Sequence, residues 1–340
     1  MDMDLTLEEF EVVCSESLAY LDKTNTQIKN AGETQPTPPT RTIKVWKLSS
    51  EKTLETAMPI VISSGFGRAM DQMGALATNL VANGVVVYRY DSLDHAGMSD
   101  GQMLDFTLST GLQSLASVVN WVANRHQNAG VGLMATSLTA RIAYRLASLS
   151  DQISFLVTAV GVVNIRQTLV CVMGEDYTAY KEEDLPPTVK FERQPIGTRT
   201  FYNDSIINNW LSKDETLNEL HAIDIPIVAF IASEDEWVDR AEIEDVINPQ
   251  SKPNRSLYIM EDCEHNFGKN LRSMEYFIKS VVDIVFHHTF PGTAKEFTQI
   301  DFEEILNQSI KERRIQRAFK RIMRAKNSAD TKKRDETCVV

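Results

Sequence analysis

Three observations predict an α/β fold for this chain of 340 residues. Short apolar runs alternate with amphipathic stretches along most of the sequence, several of those runs are apolar at every position, and 43% of residues are hydrophobic. A strand that is apolar throughout suits a parallel sheet, because helices cover both of its faces. The ordinary apolar fraction excludes wholesale disorder, and no apolar run approaches the ~20 residues that a membrane helix requires. A soluble protein without membrane insertion is expected.

Taken in order, the segments read as follows. Leu7, Phe10, Val13 and Cys14 fall at roughly helical spacing, and TQPTPPT at 34–40 breaks any helix. Residues 1–40 therefore read as a helical extension on a Pro-rich linker. TIKVWKL (42–48), PIVISS (59–64) and VVVYRY (85–90) read as strands, and ATNLVANG before the third as a helix ending at Gly84. FTLSTGLQSLASVVNWVANRH (106–126) repeats Leu112, Leu115, Val118, Val119 and Val122 at helical intervals. VGLMA (131–135) and ISFLVTAVGVV (153–163) return to strand character.

The stretch from about 165 to 222 breaks this rhythm with mixed charge, EEDLPPTVKFERQP and scattered aromatics. An insertion between late strands is where a cap would sit. IPIVAFIA (225–232) and SLYIME (256–261) resume the sheet, and RSMEYFIKSVVDIVFHH (272–288) reads as a closing helix of a body spanning 41–300. Residues 301–340 read as a basic amphipathic helix and tail, with Ile315, Ala318, Phe319, Ile322 and Met323 on one face.

The net charge of -12 is unevenly spread, since residues 311–336 carry eleven Lys and Arg against four acids. An acidic partner should prefer that end, and a solvated charged helix is an equally simple reading. The acidic start, MDMDLTLEEFEVV, does not read as a signal peptide, and the four cysteines show neither paired nor metal-ligand spacing. A reducing cytoplasm is the expected compartment. No metal set, phosphate loop or nucleotide fingerprint is present, so no metal or cofactor is implied. Nucleic acid binding is not expected, because the basic tail lacks interleaved aromatic platforms.

Three chemistry-bearing residues each follow an apolar run: Ser137 in GLMATSLTAR, Asp235 in VAFIASEDEWV and His265 in YIMEDCEHNFG. A serine hydroxyl is hardly ionised at neutral pH, so a nucleophilic serine needs an imidazole to take its proton and a carboxylate to orient that imidazole. Ser, Asp, His is the chain order of the triad in the α/β-hydrolase fold, which these observations together predict. MATSLTA can form the sharp elbow from which such a serine projects. Ala135 supplies one of the small neighbours this turn needs, and Thr139 stands where a glycine is usual. Read alone, Ser137 could simply cap the helix that follows.

Asp235 precedes Val238 in a D-x-x-V pattern, with Glu234 and Glu236 as close rivals and Asp239 as a cap for a helix from Arg240. His265 is favoured over the other histidines because it follows the last strand. The oxyanion of a tetrahedral intermediate also needs two donors, and the backbone N–H groups of Phe66 in SSGFG and of Leu138 fit those places. His95, in RYDSLDHAGMSDG, reads as a residue that holds its loop.

The strings ISSGFGRAMD, VYRYDSLDHAG, ATSLTARIAY, FLVTAVGVVN, PIVAFIASEDEWV and the late DFEE with KERR carry a likeness that extends over roughly residues 42–317. In them the chain resembles the acyl-transferase component of the bacterial luminescence fatty acid reductase system, an α/β-hydrolase acting as a myristoyl-acyl-carrier-protein thioesterase. That resemblance implies Ser137 as nucleophile, Asp235 as orienting acid and His265 as base, and its glycine-free nucleophile turn would explain Thr139. It also implies acyl carrier protein as acyl donor and fatty acid reductase subunits as possible partners. The extension to about residue 40 and the tail after 317 exceed the family's usual ends. Phe201 and Trp210 are candidates for lining an acyl tunnel. A carboxylesterase of small esters and a non-catalytic hydrolase-fold binding protein are the alternatives.

Overall fold

The computed structural model describes residues 4–14, 40–54, 57–127, 130–192, 194–248, 250–292 and 298. Along the chain run β1 (Leu5–Val13), β2 (Thr42–Ser50), β3 (Ile60–Ser63), α1 (Gly74–Ala82), β4 (Val87–Tyr90), α2 (Leu108–Arg125), β5 (Val131–Thr136), α3 (Leu138–Leu149) and β6 (Ile153–Ala159). They are followed by α4 (Ile165–Met173), β7 (Thr188–Phe191), β8 (Gln194–Gly197), α5 (Thr198–Ile207), α6 (Lys213–His221), β9 (Ile227–Ala232), α7 (Arg240–Ile247), β10 (Arg255–Met260) and α8 (Leu271–Thr289).

Eight strands form one sheet in the order β1-β2-β4-β3-β5-β6-β9-β10. From β4 to β10 all pairings are parallel, and β2 joins β4 antiparallel. The central strands β3, β5 and β9 are buried at every position, as their unbroken apolar runs require. One core cluster packs α2 and α3 against one face, and a second packs α1 and α8 against the other. This is the α/β-hydrolase fold expected from the sequence.

The N-terminal segment corrects the helical reading. Leu5–Val13 is a strand paired antiparallel with β2 over its whole length, Leu5 opposite Ser50 and Val13 opposite Thr42. Phe10, Val12 and Cys14 alternate onto one core cluster, while Leu5 and Leu7 reach the other. Cross-strand partners suit this pairing: Glu8 accepts from Lys47 Nζ (2.6 Å), Glu9 from Trp46 Nε1 (3.0 Å), and Glu11 from Lys44 Nζ. The helical spacing was coincidental. The expected amphipathic helix at 301–340 lies outside the described residues.

Between β6 and β9 the chain forms α4, α5 and α6 with the two-stranded β7–β8 hairpin. This segment is tied to α3 through Glu219, whose carboxylate accepts from Arg141 Nη1, Arg141 Nη2 (3.0 Å) and Arg145 Nε (2.6 Å). Trp210 lies fully buried beneath the same guanidinium groups, its ring 3.6 Å from Arg145 Cζ and 5.1 Å from Arg141 Cζ. It anchors the segment and lines neither cavity beside Ser137.

Candidate active site

Ser137 occupies the turn between β5 and α3 with φ 54° and ψ -127°, a conformation costly for a residue with a Cβ. Its surroundings hold it there. The Ser137 N–H donates to Ala159 O (3.0 Å), and its carbonyl accepts from the N–H groups of Ala140 (3.0 Å) and Val162 (3.1 Å). Thr139 fits the elbow through its hydroxyl, which accepts from Thr136 N–H (3.2 Å) and donates to Thr136 O (2.9 Å). Ala135 is fully buried. The Ser137 side chain makes no cap bond to α3.

Its Oγ lies instead 2.8 Å from His265 Nε2. His265 follows β10, its side chain is 5% exposed, and its Nδ1 sits 3.0 and 2.9 Å from the two oxygens of Asp235. A proton on Nδ1 satisfies that carboxylate and leaves Nε2 as acceptor for the serine hydroxyl, the tautomer this network selects. The Asp235 carboxylate is fully buried, and its Oδ1 also accepts from the N–H groups of Trp237 (2.9 Å) and Val238 (3.0 Å). The D-x-x-V pattern is therefore a turn that fixes the acid. Trp237 packs on the imidazole at a ring distance of 4.4 Å.

Of the rival acids, Glu236 has other work. Glu236 Oε2 accepts from the His265 backbone N–H (3.2 Å), so it positions the histidine loop. The Glu234 N–H donates to Cys263 O (2.9 Å), and Asp239 caps α7 by accepting from Ala241 N–H (2.8 Å). Sequence reasoning did not assign Glu236 its tether, because a backbone contact leaves no spacing signature.

Leu138 opens α3, where the first N–H groups of a helix have no intrahelical partner. The loop after β3 brings Phe66 to the same place. A Cβ on Gly65 would come within 3.2 Å of Thr136 Oγ1, a tight contact, so the loop passes close to the elbow here. The next N–H, of Gly67 at φ +71°, donates to His95 Nε2 (2.9 Å). His95 packs against the rings of Phe66 (5.3 Å) and Phe106 (4.8 Å), and burial pushes its pKa down to about 4. It stays neutral and accepting at physiological pH.

Two cavities meet at Ser137. The larger, of about 240 Å³, is lined by Arg68, Gln72, Glu192, His265 and Asn266 with an apolar floor from α1 and α8. The smaller, of about 40 Å³, lies against α4 and is lined by Leu138, Leu169, Met173, Ile196 and Phe201. Arg68 and Glu192 form an ion pair (2.9 Å) that joins the Phe66 loop to the β7–β8 turn. The arrangement, a hydroxyl in contact with an imidazole whose other nitrogen meets a buried carboxylate, is one that can do nucleophilic acyl chemistry. Among the described residues, no helix is long and apolar enough to cross a membrane.

Comparison with known proteins agrees with this chemistry. The profile of the family described as Acyl transferase matches residues 37–321. An acyl transferase of Shewanella hanedai is 40% identical over 276 residues, covering 80% of this chain and 89% of that protein. One of Photobacterium phosphoreum is 35% identical over 278 residues, covering 81% and 90%. Among solved structures, Est1E of Butyrivibrio proteoclasticus with bound ferulic acid superimposes with a TM-score of 0.59 at 16% identity, over 73% of this chain and 94% of that one. A Pyrococcus furiosus esterase, Pf2001, gives 0.58 at 16% identity, over 84% and 92%. The structural likenesses support the fold alone; on the sequence match, the chain belongs to the Acyl transferase family.

Proposed function

We propose that this protein is a serine acyl transferase and thioesterase that takes a long-chain, myristoyl-like acyl group from acyl carrier protein. The observation that carries the reading is the series Ser137 Oγ, His265 Nε2, His265 Nδ1, Asp235, in hydrogen-bond contact throughout. As Ser137 attacks the thioester carbon, its proton passes to His265 Nε2 and Asp235 stabilises the imidazolium. The Phe66 and Leu138 N–H groups hold the oxyanion. His265 then returns the proton to the departing sulfur. Water completes the cycle as free fatty acid, or an acceptor such as a fatty acid reductase subunit collects the chain. No cofactor enters this sequence.

The family supports acyl transfer, and the resemblance carried by the sequence strings supports the carrier and the reductase. The protein works in the cytoplasm, where its acidic carrier is available to the basic 311–336 segment. Profiling fatty acids released from acyl carrier protein thioesters tests the reading. Wild type should release long chains and gain strongly from the carrier, and Ser137→Ala should be inert. Equal turnover of small esters with no gain from the carrier would favour a general esterase instead.

A further inference from the structure

The two cavities at Ser137 differ in chemistry and in their access to the base. His265 lines the larger cavity and not the smaller. Phe66, Phe191 and Trp237 border both, and the Phe191 and Trp237 rings meet edge to face at 5.1 Å between them. The larger cavity mixes charged and amide side chains with an apolar floor of Met73, Leu76, Met274 and Phe277. Apart from Ser137, the smaller has Thr168 as its hydroxyl, and its remaining lining is apolar.

A tetrahedral carbon on Ser137 carries four substituents: the serine oxygen, the oxyanion, the acyl chain and the departing group. The oxyanion faces backbone donors. The departing atom must take its proton from His265 Nε2, which requires hydrogen-bond reach of roughly 2.6–3.2 Å. That places the departing group in the cavity lined by His265. The acyl chain is left with the other.

We infer that the apolar cavity against α4 is the acyl-chain site, and that the cavity lined by Arg68, Gln72 and His265 takes the polar thiol arm of the donor and then the acceptor. This assignment rests on the serine acyl-transfer reading above. In acylation the Oγ–C bond forms, the C–S bond breaks, and the serine proton ends on sulfur. In deacylation an O–H acceptor gives its proton to the same Nε2, its oxygen bonds the acyl carbon, and Ser137 recovers a proton as its ester bond breaks. The acceptor therefore enters where the thiol leaves. The cavity of about 40 Å³ is too small for a long chain unless its walls move. Those walls include Leu169, Val172 and Met173 on α4, and the unbranched Met173 is the side chain best able to change shape. Chain-length preference is set there.

Two substrate series separate the cavities. One varies the acyl chain from butyryl to myristoyl on a constant p-nitrophenyl leaving group; the other holds hexanoyl constant and varies the leaving group among p-nitrophenol, N-acetylcysteamine and pantetheine. In the full-length protein, Leu169→Ala should shift kcat/KM toward longer chains by about tenfold relative to butyryl, and Val172→Phe should shift it the opposite way. Neither should alter the leaving-group ratios. Met274→Trp should lower the pantetheine to p-nitrophenol ratio by about tenfold with the acyl profile unchanged. The converse pattern, with chain profile moved by Met274→Trp and insensitive to both α4 variants, overturns the assignment. Failure of the assignment appears as reversed ratios with Ser137-dependent turnover intact. Failure of the acyl-transfer reading appears as turnover that survives Ser137→Ala.

Discussion

The Gly67 N–H donates to His95 Nε2 across 2.9 Å, which ties the loop carrying Phe66 to the loop after β4. An oxyanion donor works only if it is already aimed when charge develops. Removing the acceptor should therefore loosen the aim without touching substrate. His95→Leu is expected to lower kcat by roughly 10- to 100-fold with KM within about twofold, and His95→Gln, which restores an acceptor oxygen, to recover most of the loss. Steady-state kinetics of the two variants decide the matter. An unchanged kcat in His95→Leu would remove His95 from this role.

The same histidine makes stability depend on pH. Its folded pKa of about 4 lies below the ordinary histidine value, so the unfolded chain binds the proton more readily. Its contribution is complete above about pH 6.5 and is lost as pH falls from there through about 4. Urea midpoints measured between pH 7 and pH 4 should fall for wild type, with a smaller fall for His95→Gln.

Asp235 and Glu236 are neighbours with unequal tasks. Asp235→Asn retains the geometry and favours the wrong histidine tautomer, so kcat should drop by about 10⁴. Glu236 accepts from the His265 backbone N–H rather than from its ring. Glu236→Gln should cost no more than about tenfold, since an amide oxygen can still accept that bond. Parallel kcat determinations on the two variants check the ranking, and equal losses would contradict it.

The segment between β6 and β9 is held by a buried charge. Arg141 is fully buried, its guanidinium is held by Glu219, and burial pulls its pKa below the usual arginine value. Glu219→Ala should destabilise the protein by about 3–5 kcal/mol, because it leaves that charge uncompensated. Chemical denaturation of the variant measures this. Glu219→Ala together with Arg141→Met should recover much of the loss.

Strand and helix positions were legible wherever one period dominated. The run of apolar residues at 227–232 and the helical repeats of 106–126 both fold as read. Leu5–Val13 was misread because Phe10, Val13 and Cys14 satisfy helical spacing while Phe10, Val12 and Cys14 satisfy strand alternation. Only the cross-strand partners on β2 distinguish them, and those lie about 30 to 45 residues away. The convergence of Ser137, Asp235 and His265 was legible because each follows a readable strand. Trp210 was open between tunnel and core, since its stacking on Arg145 and Arg141 joins two distant segments. The fit of Thr139 rests on hydroxyl bonds to Thr136 that a motif comparison does not convey.

The most direct measurement is the mass of the intact protein after rapid mixing with a long-chain acyl carrier protein thioester, followed by peptide mapping. One added acyl group on the peptide holding Ser137, formed within the first turnover and lost on longer incubation, is the expected result. Ser137→Ala should gain no such mass. Turnover that proceeds with no acyl adduct at Ser137, or with an adduct on another residue, would contradict the acyl-serine mechanism.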